Sequence, residues 1–290
     1  MKVPILVFAF NRPVEILQVL EALALQVDRA KFDVYVFIDG HRDSSDKDSV
    51  DSVYNICCRF SDLISFIFTE SQNIGLRKNI LKGIDYIKND YESFIVLEDD
   101  IILSDGALSY MYTMLESHRD SPIIGHINLW NFPIVDVSSP YISWHMHCWG
   151  WGSWTRLWKH SVENELSVNP SIGSKLLISK FFSTTHYSHF YANAIGIKRT
   201  WAVLWMMRLV RLRLLSISPP FSLAKNIGLS SGDNVEYLDY KQNIKSDKEP
   251  STVLSSRFSG LYNDFICWFY TIHMSPKLAM LRTVYLVIFK

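Results

Sequence analysis

Two hydrophobic periods alternate along the first hundred residues. Residues 3–10, 33–40, 64–69 and 93–97 are short, nearly unbroken apolar runs rich in Val, Ile and Phe, the pattern of strands buried on both faces of a sheet. Between them apolar residues recur at helical spacing. Ile16, Leu17, Leu20, Leu23, Ala24 and Val27 form one stripe, and Leu76, Ile80, Ile84 and Ile87 another, with a further helix expected over residues 49–60. Asn11-Arg12-Pro13 closes the first run and puts Pro13 where a first helical turn tolerates a missing N–H. Strand and helix alternating in this way predict a parallel, doubly wound α/β sheet flanked by helices. A fourth helix follows over residues 105–118 and another apolar strand over 123–129.

Beyond residue 129 the texture changes. Six tryptophans fall between Trp130 and Trp158, densest in HMHCWGWGSWTRLW. Residues 200–215 mix apolar and basic side chains, Pro219-Pro220 breaks the chain, and Asn226-Ile227-Gly228 marks a turn. Residues 246–256 are polar and read as a linker. No internal repeat is present. The expected organisation is one unit over residues 1–245, with halves at 1–104 and 105–245, followed by a linker and an amphipathic helical tail over 246–290.

A chain of 290 residues is long enough for one large domain. Its 29 basic and 29 acidic residues balance, so nothing points to a nucleic-acid partner. The balance is not local. No Asp or Glu lies between Glu165 and Asp233, whereas Lys175, Lys180, Lys198, Arg199, Arg208, Arg211, Arg213 and Lys225 do, a one-sign stretch that suits an anionic partner or surface. Cys57 and Cys58 are adjacent, and Cys148 and Cys267 stand alone among aromatics; this is no disulfide framework, and a reduced, cytoplasmic chain is expected. The N-terminal apolar run lacks a small-residue cleavage site, and no stretch has the uncharged length of a membrane span.

The candidate chemistry centres on Glu98, Asp99 and Asp100, three consecutive acids at the carboxyl end of the fourth strand, where open α/β sheets place their ligands. Their mutual repulsion calls for compensation. Mn²⁺ or Mg²⁺ carrying a diphosphate would supply it; an acidic turn capping the next helix is the alternative. No G-x-G-x-x-G follows the first strand and no lysine-bearing phosphate loop is present, which speaks against a dehydrogenase or a P-loop enzyme.

Taken as a set, PILVFAFNRP (residues 4–13), VFIDG (36–40), NIGLRKNILKGI (73–84), VLEDDI (96–101), WGWGSW (149–154), TWAVLW (200–205) and SLAKNIG (222–228) resemble the GT-A-fold, family 2-type glycosyltransferases over residues 3–237. Within them they look most like a bacterial surface-glycan branch related to the N-acetylglucosaminyltransferase of the N-glycan pathway. The resemblance implies a GT-A-like, Rossmann-type, mostly parallel sheet with a Trp-rich acceptor part. It implies a nucleotide-sugar donor, with Ala9, Asn11 and Arg12 lining base and ribose and Asp39 accepting from a pyrimidine N–H. Arg77 would reach the diphosphate or base, Asp100 would bind the metal, Asp99 the ribose or donor sugar, and Glu98 would support them. Trp149, Gly150, Trp151 and Gly152 would form an acceptor platform, glycines between indoles permitting close approach to a sugar.

An inverting transfer also needs a base. In relatives an acid follows a tryptophan in the segment matching TWAVLW, but here Trp201 is followed by Ala202. Asp233 is the first candidate, then Glu163 and Glu165, then His186 and His189. The acceptor implied is a glycan or a lipid-diphosphate-linked glycan, as in lipopolysaccharide-type polysaccharide biosynthesis. The basic-aromatic segments suit peripheral contact with an anionic membrane, at the cytoplasmic face. Blander readings stand beside these: Asp39 as a strand-ending turn residue, Arg12 paired with Glu15, the tryptophans as core, and the basic segments as helices packed on the domain. Two other functions remain open, a sugar-1-phosphate nucleotidyltransferase, whose Gly-rich loop is missing here, and a catalytically impaired glycan-binding relative, prompted by Ala202 and residues 234–236.

Overall fold

A computed structural model of the chain describes residues 2–131, 137–158, 201–228 and 250–254. Strands β1 (Val3–Ala9), β2 (Phe32–Ile38), β3 (Ile64–Thr69) and β4 (Ser93–Glu98) lie in the order β3-β2-β1-β4, all parallel. Every residue of β1 is buried, and in β2 only Asp33 is not. This two-sided burial is why both read as unbroken apolar runs.

Helices α1 (Pro13–Ala24), α2 (Ser44–Arg59) and α3 (Leu76–Ile87) make the crossovers. Helix α1 opens on Pro13 and buries Ile16, Val19, Leu20 and Leu23. Helix α2 begins earlier than residue 49, because the Asp43 carboxylate accepts a 2.8 Å bond from the Ser45 N–H and so caps a polar first turn. Helix α3 packs over the stacked Phe8 and Phe37 rings, 5.2 Å apart; a Cβ on Gly83 would meet the Phe8 ring at 2.7 Å.

The second half contributes β5 (Ile101–Leu103), α4 (Ala107–Ser117), β6 (Ile124–Asn128), β7 (Tyr141–Ser143), β8 (Trp151–Trp154), a 3₁₀ turn (Thr155–Leu157), α5 (Ala202–Arg211), β9 (Leu215–Ser218) and β10 (Ala224–Asn226). The sheet runs on from β4 through β8, β6, β9 and β7. Strand β8 is antiparallel to both β4 and β6, so the parallel half passes into a mixed one. Apart from it, β5 and β10 form an antiparallel ribbon.

Two expectations change here. Trp151 and Trp154 belong to a central strand and are 0% and 1% exposed. Trp151 is enclosed between His126, stacked at 5.2 Å, and Trp201, stacked at 5.1 Å. Gly152 is needed for packing, since a Cβ there would meet Met111 of α4 at 2.7 Å. Trp151 and Gly152 therefore present no face to a sugar. The basic-apolar stretch around residue 208 is likewise a core helix: Leu204, Trp205, Met206, Met207, Arg208 and Leu209 are buried, and the Arg208 guanidinium donates to the Leu157 carbonyl. Its end, Arg211 to Arg213, is exposed. Among the described residues no helix is long and apolar enough to cross a membrane. Glu163, Glu165, His186, His189, Asp233, the expected boundary at 245 and the tail beyond residue 254 lie outside the described residues.

Candidate active site

The parallel register sets Phe8 beside Glu98 and Ala9 beside Ile38, so the carboxyl ends of β1, β2 and β4 share one rim. Asp99 and Asp100 follow β4 directly and are each 7% exposed. Arg12, at the entrance to α1, reaches across to them: its Nη1 donates to Asp100 Oδ2 at 2.6 Å and to Asp99 Oδ1 at 3.3 Å. Asp99 Oδ2 accepts from the Phe10 N–H at 3.1 Å. Asp100 Oδ1 is enclosed and has no hydrogen-bond partner. Arg12 thus forms its ion pairs with Asp99 and Asp100 and not with Glu15, neutralising acids that the chain places nearly ninety residues away.

The electrostatics follow from burial. Loss of water, then Asp100 and Asp99, push Glu98 up to about 8, while a hydrogen bond from the Trp201 side chain works the other way. Burial likewise pushes Asp99 up to about 7 against the pull of Arg12, and raises Asp100. Burial works against Arg12, yet Asp99 and Asp100 hold its pKa above the usual value. Cys148 is close enough to feel the same acids: burial first, then Glu98, push its thiol up to about 12, and it remains an unreactive thiol.

Ribbon β5–β10 brings the Asn226-Ile227-Gly228 turn onto Asp100. The Ile227 N–H donates to the Asp100 carbonyl at 2.9 Å, and Asn226 Oδ1 accepts from the Gly228 N–H at 2.8 Å. A Cβ on Gly228 would lie 2.9 Å from both Cβ and Cγ of Asp100. Trp201, Cys148 and Gly228 were not singled out as site residues by sequence. For Trp201 the signal was the TWAVLW match itself, read for the residue after the tryptophan instead of the tryptophan.

Asp39 sits just past β2, 4% exposed. Its Oδ1 accepts from Gly40 N at 2.9 Å and Ile74 N at 2.8 Å, and its Oδ2 from Gly75 N at 2.8 Å and Asn73 Nδ2 at 3.0 Å. A carboxylate offers about four acceptor positions, and here the chain fills them. Asp39 ties the 73–75 loop to the sheet, and the free acceptor expected for a pyrimidine is not there.

Asn11 donates to Asp46 at 2.8 Å; Asp46 is also gripped by Arg42, whose guanidinium lies 5.2 Å from the Phe10 ring centre. Arg42 and Asn11 hold the Asp46 carboxyl well below its usual range. Ala9 is buried at the rim, its carbonyl accepting from Asp39 N at 2.9 Å. Arg77 lies in the first turn of α3 with its Nε enclosed and unpartnered. On the other side Trp149 is half-buried and meets Trp130 edge-on at 5.0 Å. Gly150, at φ 72°, makes the turn into β8. Of the expected platform, Trp149 is the ring that is not fully buried.

Among the described residues no group of three His, Cys, Asp or Glu side chains is arranged to hold a metal. The donor set fits a different case, a hard cation bound by one carboxylate and completed by phosphate oxygens and water. Asp100 Oδ1, buried and without a partner, is the foothold such an ion requires.

The model of the family described as glycosyl transferase family 2 matches residues 5–168. No curated protein sequence matches the chain. Among solved structures, TarS of S. aureus resembles it with a TM-score of 0.50 at 13% identity, over 79% of this chain and 37% of that one. A shorter TarS structure, residues 1–349, gives 0.49 at 13% identity, over 75% and 60%. The mannosyltransferase PcManGT of Pyrobaculum calidifontis, in complex with GDP-Man and Mn²⁺, gives 0.43 at 13%, over 73% and 69%. The chain therefore spans 37% and 60% of the two TarS structures, and at such identity the first likeness is one of fold.

Proposed function

The chain belongs to glycosyl transferase family 2, and from that premise we propose that it is a glycosyltransferase, which transfers a sugar from a nucleotide-sugar donor, held with Mn²⁺ or Mg²⁺ at Asp100, to a glycan acceptor entering beside Trp149. The observation that carries this reading is the buried Asp100 carboxylate at the carboxyl end of β4, with one oxygen on Arg12 and the other unpartnered. Bound there, the cation would supply Lewis-acid stabilisation of the departing nucleoside diphosphate.

The chain's own residues do the rest. Arg12 offers a planar, permanently charged fork suited to phosphate. Asp99, fixed by Phe10 N and Arg12, faces the ribose or donor sugar, and Glu98 is steadied by Trp201. Ala9 and Asn11 shape the nucleoside end. Arg77, with an unpartnered Nε, serves the base or diphosphate. Asp39 acts through the 73–75 loop that it anchors. The base that takes the acceptor proton is assigned to Asp233, with Glu163 and Glu165 next; general-base catalysis of this kind contributes about 10²–10⁴-fold.

In its finer form the reading is an inverting transfer onto a lipid-diphosphate-linked glycan at the cytoplasmic membrane face. The acid-free basic stretch between Glu165 and Asp233 supports an anionic acceptor. The test is a titration of the full chain with UDP-, GDP- and dTDP-sugars, with and without Mn²⁺, following binding and slow donor hydrolysis. Metal-dependent release of nucleoside diphosphate is expected. Release of pyrophosphate from a nucleoside triphosphate and a sugar phosphate would identify a nucleotidyltransferase, and absence of nucleotide binding would leave a glycan-binding relative.

A further inference from the structure

We propose that Arg12 is a tethered counter-ion that occupies Asp100 in the absence of donor and yields it when a diphosphate arrives, so that the divalent cation and the nucleotide bind as a pair. The inference deepens the donor-site reading above and rests on it.

Glu98, Asp99 and Asp100 bring three carboxylates into a largely enclosed corner, and Arg12 is the cation that ion-pairs with Asp99 and Asp100 among the described residues. Its side chain is 33% exposed, against 9% and 10% for those of Asp99 and Asp100. The guanidinium therefore stands between the acids and water, where an arriving ion must pass or displace it. It cannot be deprotonated in a protein, so it competes at every working pH.

The competition is incomplete by geometry. Arg12 takes Asp100 Oδ2 at 2.6 Å and leaves Oδ1 unpartnered. The carboxylate itself is fixed, because Ile227 bonds its backbone and Gly228 packs against its side chain; the arginine is the part free to move. A diphosphate supplies what Arg12 loses on leaving Asp100, two or more anionic oxygens in a fork-matching arrangement. Drawing Arg12 toward phosphate uncovers Asp100 for the metal, and the metal in turn favours the diphosphate. By linkage the two affinities rise by one shared factor.

The experiment is a Mn²⁺ titration of the full chain followed by electron paramagnetic resonance, with UDP, GDP and dTDP in turn and without nucleotide. The unaltered protein should bind Mn²⁺ weakly alone and at least tenfold more tightly with the diphosphate it accepts. Arg12→Gln should bind Mn²⁺ alone at least tenfold more tightly than the unaltered protein, with the nucleotide enhancement correspondingly reduced. Adding Asp100→Asn should abolish that gain, and Arg12→Lys, which keeps the charge, should keep Mn²⁺ binding weak. Unchanged or weaker Mn²⁺ binding by Arg12→Gln overturns the inference while leaving the donor reading in place. Tight Mn²⁺ binding by the unaltered protein without nucleotide overturns it even if Arg12→Gln does not fold. If no protein binds Mn²⁺ through Asp100 with any nucleotide, the donor reading fails and the inference with it.

Discussion

Replacing Asp39 with alanine should unfold the chain more readily before it says anything about nucleotides. The substitution strips the acceptor from three backbone N–H groups, of Gly40, Ile74 and Gly75, and from Asn73 Nδ2. Hydrogen bonds to a charged acceptor contribute about 1.5–3 kcal/mol each, but bonds that share one carboxylate are not independent. Residues 73–75 are also half-buried, so water reaches part of what is lost. Two bonds' worth, about 3–6 kcal/mol, is therefore the expected loss for Asp39→Ala. Asp39→Asn keeps one oxygen and should lose roughly half of that. Urea unfolding by linear extrapolation measures both, with the slope unchanged if only stability has moved. A loss below about 0.5 kcal/mol, within the range of ordinary surface changes, together with abolished nucleotide binding, would refute the reasoning and return Asp39 to the role of nucleobase acceptor.

Other outcomes follow from the same geometry. Gly228→Ala should force the Asp100 side chain aside and weaken Mn²⁺ binding by about 10–100-fold, as loss of a ligand's supporting contact does, read by paramagnetic resonance in the presence of nucleotide. His126 is buried and its Nδ1 accepts from the Trp205 indole N–H at 3.0 Å; burial pulls its pKa down to about 3. The unfolded chain protonates near pH 6.5 and the folded one does not, so stability should be lost as pH falls from about 6.5 toward 3, by about 1.4 kcal/mol per pH unit from this group. His126→Gln should lower that slope by one proton in urea titrations across the range. Trp149→Ala should raise the acceptor KM about tenfold, near 1.4 kcal/mol, with donor binding intact; an unchanged KM would remove Trp149 from the acceptor site.

The parallel half of the sheet was legible because β1 and β2 are buried on both faces, which leaves their sequences almost free of polar residues. The start of α2 was not, since the cap at Asp43 replaces an apolar stripe as the signal. Glycines between tryptophans looked like a ligand platform, yet at residue 152 the missing Cβ makes room for Met111. Periodicity reports that a position is tight without reporting what presses on it. The site was legible as a place, at the end of β4, and less so in its pairings. Arg12 finds Asp99 and Asp100, and Asp39 finds residues 73–75, across separations that local spacing does not encode. The resemblance to glycosyltransferases supplied the family and pointed to Asp100; the Trp201 bond to Glu98 and the Gly228 contact arise only when distant segments fold together.

The central claim is that a divalent cation on Asp100 serves the donor diphosphate, and its most direct test is donor turnover by Asp100→Asn beside the unaltered chain. Each is incubated with UDP-, GDP- and dTDP-sugars over a Mn²⁺ series, and released nucleoside diphosphate is counted. The account predicts Mn²⁺-dependent release by the unaltered protein and its loss in Asp100→Asn, with the fold retained by circular dichroism. Equal release from both proteins, with equal Mn²⁺ dependence, would contradict it.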